Sequence, residues 1–403
     1  MNKNSWKIKR LGEISELQSG NGFPVEFQGK TEGDYPFAKV GDISNIARSG
    51  YHLISDANHW IDKDVIRKIK ARVFPEGSIV FAKIGEAIKQ NFRVISSCPM
   101  LFDNNVMGIK PNNCIIDTEY LFFYLKQVDF YGLSEKTTVP SIRKSKIETL
   151  EIPLPSLEEQ KRIAAILDKA DQVRRKRQEA IRLTEELGRS IFLDMFGDPV
   201  TNPKGWEVVK IDQIVDAIES GWSPKCDSRI AEPNEWGVLK LGAISWGTFN
   251  EQENKALLSG TTPKTDLEVQ PGNLLFTRKN TYELVGASVY VDKTRSRLLL
   301  PDLVFRLKVN NKVNPIYLWQ ALSQSSMRQE ISSLAGGSSG SMPNISKARL
   351  RTLKVALPSL ELQNKFSRIS EKYWKKQELL QEYKKQADNL FNSLLQRAFR
   401  GEL

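Results

Sequence analysis

The chain has 403 residues, 40% hydrophobic and 27% charged, so it can hold two or three cored domains and is too apolar to be disordered. Lys and Arg outnumber Asp and Glu by 59 to 48, a net charge of +11 and a pI near 9.3, which favours a polyanionic partner, nucleic acid before membrane. Three scattered cysteines, no run near about 18 apolar residues and no apolar leader in Met1–Trp6 argue against a disulfide scaffold, a membrane span and secretion, and point to a reducing cytoplasm.

Residues 1–155 read as a first globular domain. Short β-rich runs at Ser78–Ala82 and Phe92–Ser96 are bounded by turn signals at Pro75-Glu76-Gly77 and Lys110-Pro111-Asn112-Asn113. A helix rich in Leu, Phe and Tyr follows at about Thr118–Lys126. Residues 156–200 predict one long helix, opened by Ser156 as N-cap with acidic residues in its first turn. Residues 201–358 repeat the order of the first domain. Trp206 answers Trp6, Lys240-Leu241-Gly242 answers Lys39-Val40-Gly41, and Gly272–Phe276 answers Gly77–Phe81. Tyr317-Leu318 answers Tyr120-Leu121, while the loops between these anchors do not match. Residues 359–403 form a second long helix, opened by Ser359.

The echo is most exact before each helix. Val139–Ile142 falls on Met342–Ile345, Leu150 on Leu353, Leu154-Pro155-Ser156-Leu157-Glu158 on Leu357-Pro358-Ser359-Leu360-Glu361, and Gln160 on Gln363, all offset by 203. So long a period is not a solenoid repeat but a duplicated domain, and it implies approximate two-fold symmetry and a partner that is long or itself pseudo-symmetric. One heptad-like frame, Ile163, Ile166, Ala170, Val173, Arg177, Ala180, Thr184, Leu187 and Ile191, recurs 203 residues on from Phe366 to Leu394 and is mostly apolar in both helices. It predicts two rods of about 60 Å, packed antiparallel with a globular domain at each end, and it puts Leu187 and Leu390 in an apolar seam. The expected fold is mixed α/β, with two pseudo-symmetric globular domains separated by two long antiparallel coiled-coil helices.

Little points to catalysis. His52 and His59 read as surface or satisfied histidines. There is no phosphate-cradling Gly-x4-Gly-Lys-Ser/Thr and no metal-ligand spacing, so neither cofactor nor metal is expected. Asn202-Pro203-Lys204 is a turn, Glu253-Asn254-Lys255 is a chance Glu-x-Lys, and Gly336-Gly337-Ser338-Ser339-Gly340 is a Gly/Ser loop. What remains is basic and consistently placed. Lys39 matches Lys240, and Lys83 matches Arg278; Arg143, Lys144 and Lys146 precede the first long helix where Lys347, Arg349 and Arg351 precede the second. With Lys89, Arg93 and Lys279 nearby, these are the candidate DNA contacts. A single such side chain reads as a solvated charge; their recurrence in pairs suggests phosphate contacts, leaving base edges to the divergent loops. Arg174-Arg175-Lys176-Arg177 has no counterpart and reads as a solvated or partner-facing run.

With these residues in place the chain resembles the specificity subunits of type I restriction-modification systems. The resemblance is carried by Ile152–Gln160 and its echo at Val355–Gln363, by Gly205-Trp206-Glu207-Val208-Val209-Lys210-Ile211, and by the ending Leu395–Leu403. The first half departs from it with Ser5-Trp6-Lys7, and the second repeat has Ala356 in place of Pro153. The resemblance implies a non-catalytic reader of double-stranded DNA, each target-recognition domain taking one half of a bipartite sequence. It implies two methyltransferase subunits docked on the helices, which bind S-adenosylmethionine and methylate adenine, and ATP-driven restriction subunits that can join them. The residues alone leave open a structural adaptor whose coiled coil holds two protein-binding domains, and a self-sufficient nuclease or methyltransferase.

Overall fold

The computed structural model describes residues 6–135, 138–336 and 342–403; the segment Met1–Ser5 and the Gly/Ser loop past Gly336 lie outside them. The chain divides into two compact units, Met1–Arg182 with Leu379–Leu403, and Leu183–Glu378. Each unit thus takes part of both long helices.

The first unit holds a five-stranded sheet in the order Ser15–Ser19, Val106–Pro111, Ile79–Ala82, Arg93–Ser96, Leu53–Ile54. It is antiparallel except at Leu53–Ile54, which runs parallel to Arg93–Ser96. A smaller sheet joins Trp60–Ile61, Tyr35–Ala38 and Leu101–Phe102. The second unit repeats this with a four-stranded sheet, Val215–Ser220, Val304–Val309, Leu274–Thr277, Ser288–Tyr290, and a three-stranded one, Asn254–Ala256, Gly237–Leu239, Leu298–Leu299. In both small sheets the central strand is parallel to the last one named. Ile79–Ala82 and Leu274–Thr277 are central and buried along their whole length, so they read as unbroken runs rather than alternating ones. The close approach of chain to chain is also duplicated. A Cβ on Gly20 would run into the Asp103 carbonyl, and one on Gly221 into the Leu300 carbonyl, so both positions need glycine.

The long helices run Leu157–Phe196 and Leu360–Phe399, close to the expected spans. The Ser156 and Ser359 hydroxyls accept from the third residue of each, Glu159 N at 3.3 Å and Leu362 N at 3.4 Å. Antiparallel pairing is present in each unit. In the first, Arg174 meets Asp388 at 2.8 Å, and Arg162 donates to the Leu403 carbonyl. In the second, Phe192 and Phe196 pack on Phe366.

The duplicated glutamine and tyrosine tie each helix to its own domain. Gln160 Oε1 accepts from Asp117 N at 2.8 Å, while its Nε2 donates to the Pro155 and Ile115 carbonyls at 3.0 and 3.2 Å. Gln363 Oε1 accepts from Asn314 N at 2.8 Å, and Nε2 donates to Pro358 O at 2.8 Å and Lys312 O at 3.5 Å. Asp117 and Asn314 are the N-caps of the helices Thr118–Leu125 and Pro315–Ser323. The Tyr120 hydroxyl donates to Pro153 O and the Tyr317 hydroxyl to Ala356 O, at 2.7 and 2.6 Å.

The heptad frame marks the rim of the helix pairing rather than its centre. Ile163 and Phe366 are buried, but Leu187 is 54% and Leu390 58% exposed. The buried stripe of the first helix instead takes Gln160, Ile163, Ala164, Leu167 and Asp171. Ile163, Ala164 and Leu167 belong to one core with Tyr120, Ile152, Phe391 and Ala398. The face that counts is therefore the one set against the globular domain and the other helix together, which a two-helix frame misses.

Candidate nucleic-acid interface

A junction between two chain segments recurs in each unit and gathers most of the matched basic residues. In the first unit the loop leaving Ile79–Ala82 bridges the segment before the first long helix: Ile142 N donates to Lys83 O at 2.9 Å and Gly85 N to Pro140 O at 2.8 Å. In the second, Ile345 N donates to Arg278 O at 2.8 Å and Asn280 N to Pro343 O at 3.4 Å. Lys83 is thereby set beside the start of the helix Lys144–Glu148, and Arg278 beside the start of Lys347–Arg351. Arg278 and Lys347 both approach the Phe305 ring, at 5.4 and 5.8 Å, and Arg278 Nε donates to Asn344 Oδ1 at 3.2 Å. Asn344 falls 203 residues after Ser141 and forms the same kind of bridge; both lie in the echo before the long helices, but neither carries a charge that would mark it as a contact.

Lys39 and Lys240 hold matched places, each directly after the central strand of the small sheet and at the N-cap of the next helix. Lys39 Nζ donates to Gln28 at 2.6 Å, and Lys240 lies 3.9 Å from Glu253. Lys83 is half-buried; burial pushes its pKa down, opposed by the Asp103 carboxylate, which also feels Lys39. Arg143, Lys144 and Lys146 are exposed, the first paired with Glu135 at 2.6 Å and the second with Glu148 at 3.5 Å. Lys279 is half-buried, and Arg349 is exposed and donates to Leu334 O at 3.1 Å. Lys89 sits apart on the turn Glu86–Gln90; it pairs with Glu86, whose hydrogen bond raises its pKa.

Arg93 lies inside the first unit rather than on its surface. It is 4% exposed, lies 4.3 Å over the Phe130 ring and donates to Asn91 Oδ1 at 2.6 Å. Burial drives its pKa down, and its Nε and Nη1 have no partner. The run Arg174–Arg177 is likewise mostly turned inward. Arg174 bridges Asp171 and Asp388, Arg175 reaches His52 at 2.9 Å, and Arg177 covers the Tyr383 ring. His52 is buried and lies 3.5 Å from Glu119, and His59 accepts from Gly29 N at 2.9 Å, so both histidines are satisfied.

The model for the type I restriction modification DNA specificity domain matches this chain twice, over residues 3–183 and 203–388. The Escherichia coli type I restriction enzyme EcoEI specificity subunit is 34% identical over 180 residues, 44% of this chain; the match spans only 30% of that protein's length. The MjaVIII specificity subunit of Methanocaldococcus jannaschii is 23% identical over 381 residues, 89% of this chain and 83% of its own. Among solved structures, the type I restriction-modification S subunit from M. genitalium shares the fold, with a TM-score of 0.59 at 15% identity over 99% of this chain and 97% of that one. With two matched copies of the domain covering most of its length, the chain belongs to the type I restriction modification DNA specificity domain family.

Proposed function

We propose that this chain is the sequence-specific DNA-recognition subunit of a type I restriction-modification complex and is itself non-catalytic. The observation that carries the reading is the duplicated junction, which sets Lys83 beside Arg143–Lys146 in one unit and Arg278 beside Lys347–Arg351 in the other. Equivalent cations on equivalent scaffolds suit phosphates, which recur along any duplex, while the unmatched loops suit base edges, which differ between half-sites. Each domain, 1–155 and 201–358, reads one half of a bipartite target, and the long helices set the spacing between the halves. The helices also dock two methyltransferase subunits. An open apolar groove of about 550 Å³, lined by Ala165, Ile166, Val173, Leu390 and Leu394, supports that role in the first unit. Restriction subunits join the same complex. Among the described residues no helix is long and apolar enough to cross a membrane.

Titrating duplex DNA into wild type and into Lys83→Gln and Arg278→Gln over a range of salt tests the reading. Each variant weakens cognate and unrelated duplexes alike and flattens the salt slope by about one unit. A variant that changes which sequence is preferred would make that residue a base reader. Wild type with no salt-dependent binding would favour the adaptor.

A further inference from the structure

The two units share a scaffold but not what they display beside the basic junction. Lys39–Asn45 and Lys240–Trp246 align residue for residue at an offset of 201, with Ser44 against Ser245 and Asn45 against Trp246. The junction loops align as Lys83 with Arg278, so Gly85 stands against Asn280 and Ala87 against Tyr282. In the second unit Asn280 Nδ2 donates to Ser245 Oγ at 2.9 Å, a bond between two buried side chains. Gly85 has no side chain with which to make the equivalent bond. That bond clamps together two loops, each carrying an aromatic residue: Trp246 follows Ser245 and is 73% exposed, and Tyr282 lies two residues past Asn280 and is 64% exposed.

Single exposed apolar side chains are ordinary. This pair is different in its surroundings. Arg278 and Lys279 precede Tyr282 on the same loop, Lys240 leads into the Trp246 turn, and Asn280 is tied through Pro343 to the segment that carries Lys347. Aromatic faces framed by cations match bases flanked by phosphates, since every base presents a π-face and every step a pair of phosphates.

We propose that Trp246 and Tyr282 form a base-contacting site that packs against one base step of the half-site read by residues 201–358, and that the first unit, with Asn45 and Ala87, reads its half-site without such a contact. The inference rests on the DNA-recognition reading above and adds to it an asymmetry between the two half-sites. An aromatic wedge of this kind partly unstacks the step that it meets.

The test uses the full chain and two duplexes, one carrying the motif methylated in cells that contain this chain and one of scrambled sequence. Trp246→Ala and Tyr282→Ala each weaken binding to the motif duplex by about 10-fold and leave the scrambled duplex unchanged, while Trp246→Phe keeps most of the affinity. 2-Aminopurine placed along the motif brightens on binding at one step of one half only, and that signal is lost in the alanine variants. The proposal is overturned if the alanine variants bind the motif duplex within about two-fold of wild type, if both duplexes weaken equally, or if the 2-aminopurine signal survives them. Wild type that does not distinguish the two duplexes would overturn the recognition reading itself, and this inference with it.

Discussion

Replacing Gln160 or Gln363 with Leu should destabilise its own unit by about 3 kcal/mol. Each amide is almost fully buried, at 1% and 0% exposure, and serves three backbone groups. Leu is close in volume but leaves the N–H of Asp117 or Asn314 without an acceptor, a loss of roughly 1–3 kcal/mol for a buried donor. The two carbonyls lose a donor as well, and the apolar gain offsets only part of this. In a unit of about 200 residues a loss of 3 kcal/mol lowers the midpoint by roughly 6–12 °C. Differential scanning calorimetry with hydrogen exchange resolves which unit gives way: strands Ile79–Ala82 for Gln160→Leu, Leu274–Thr277 for Gln363→Leu. The longer 3.5 Å bond of Gln363 to Lys312 O makes its loss the slightly smaller one. Gln160→Glu sets a carboxylate against two carbonyls, which raises its folded-state pKa above the usual value near 4.3. The folded state then binds the extra proton, so stability is held below that value and falls as pH rises from it through the raised folded-state pKa. A loss under about 1 kcal/mol in both variants, or equal loosening of both units by either one, would refute the claim that these glutamines tie helix to domain.

Other substitutions separate the structure from the expectations of the sequence. Leu187→Asp and Leu390→Asp should each change stability by less than about 0.5 kcal/mol in thermal melts, because both side chains are more than half exposed; a loss of several kcal/mol would restore the apolar seam. Arg93→Met should leave DNA affinity unchanged and hold or raise the melting temperature, since it removes a buried guanidinium whose Nε and Nη1 are unpartnered. Weaker binding to DNA with an unchanged melt would return Arg93 to the interface.

The long helices were legible because their signals are local: a serine cap, acidic residues one turn in, and a recurring apolar spacing. The duplication was legible as an offset. Which face of each helix is covered was not, since spacing finds apolar residues without saying what lies against them. Arg93 stands among the candidate contacts because its charge is visible in the sequence; the Phe130 ring that covers it lies 37 positions further on. The Arg174–Arg177 run reads as solvated or partner-facing because the groups it meets in its own unit, His52 and Asp388, are far away in sequence. Gln160 and Gln363 stood out as an exact repeat, yet their partners Asp117 and Asn314 carry no mark that a pattern could find.

The central claim is that two domains read two half-sites independently. Replacing residues 1–155 with the equivalent domain of a relative, in cells that carry the methyltransferase, and sequencing the methylated bases across the genome tests it most directly. The account predicts a bipartite motif in which one half is new, the other half is unchanged and the spacer keeps its length. A motif altered in both halves, or altered in its spacer alone, would contradict it.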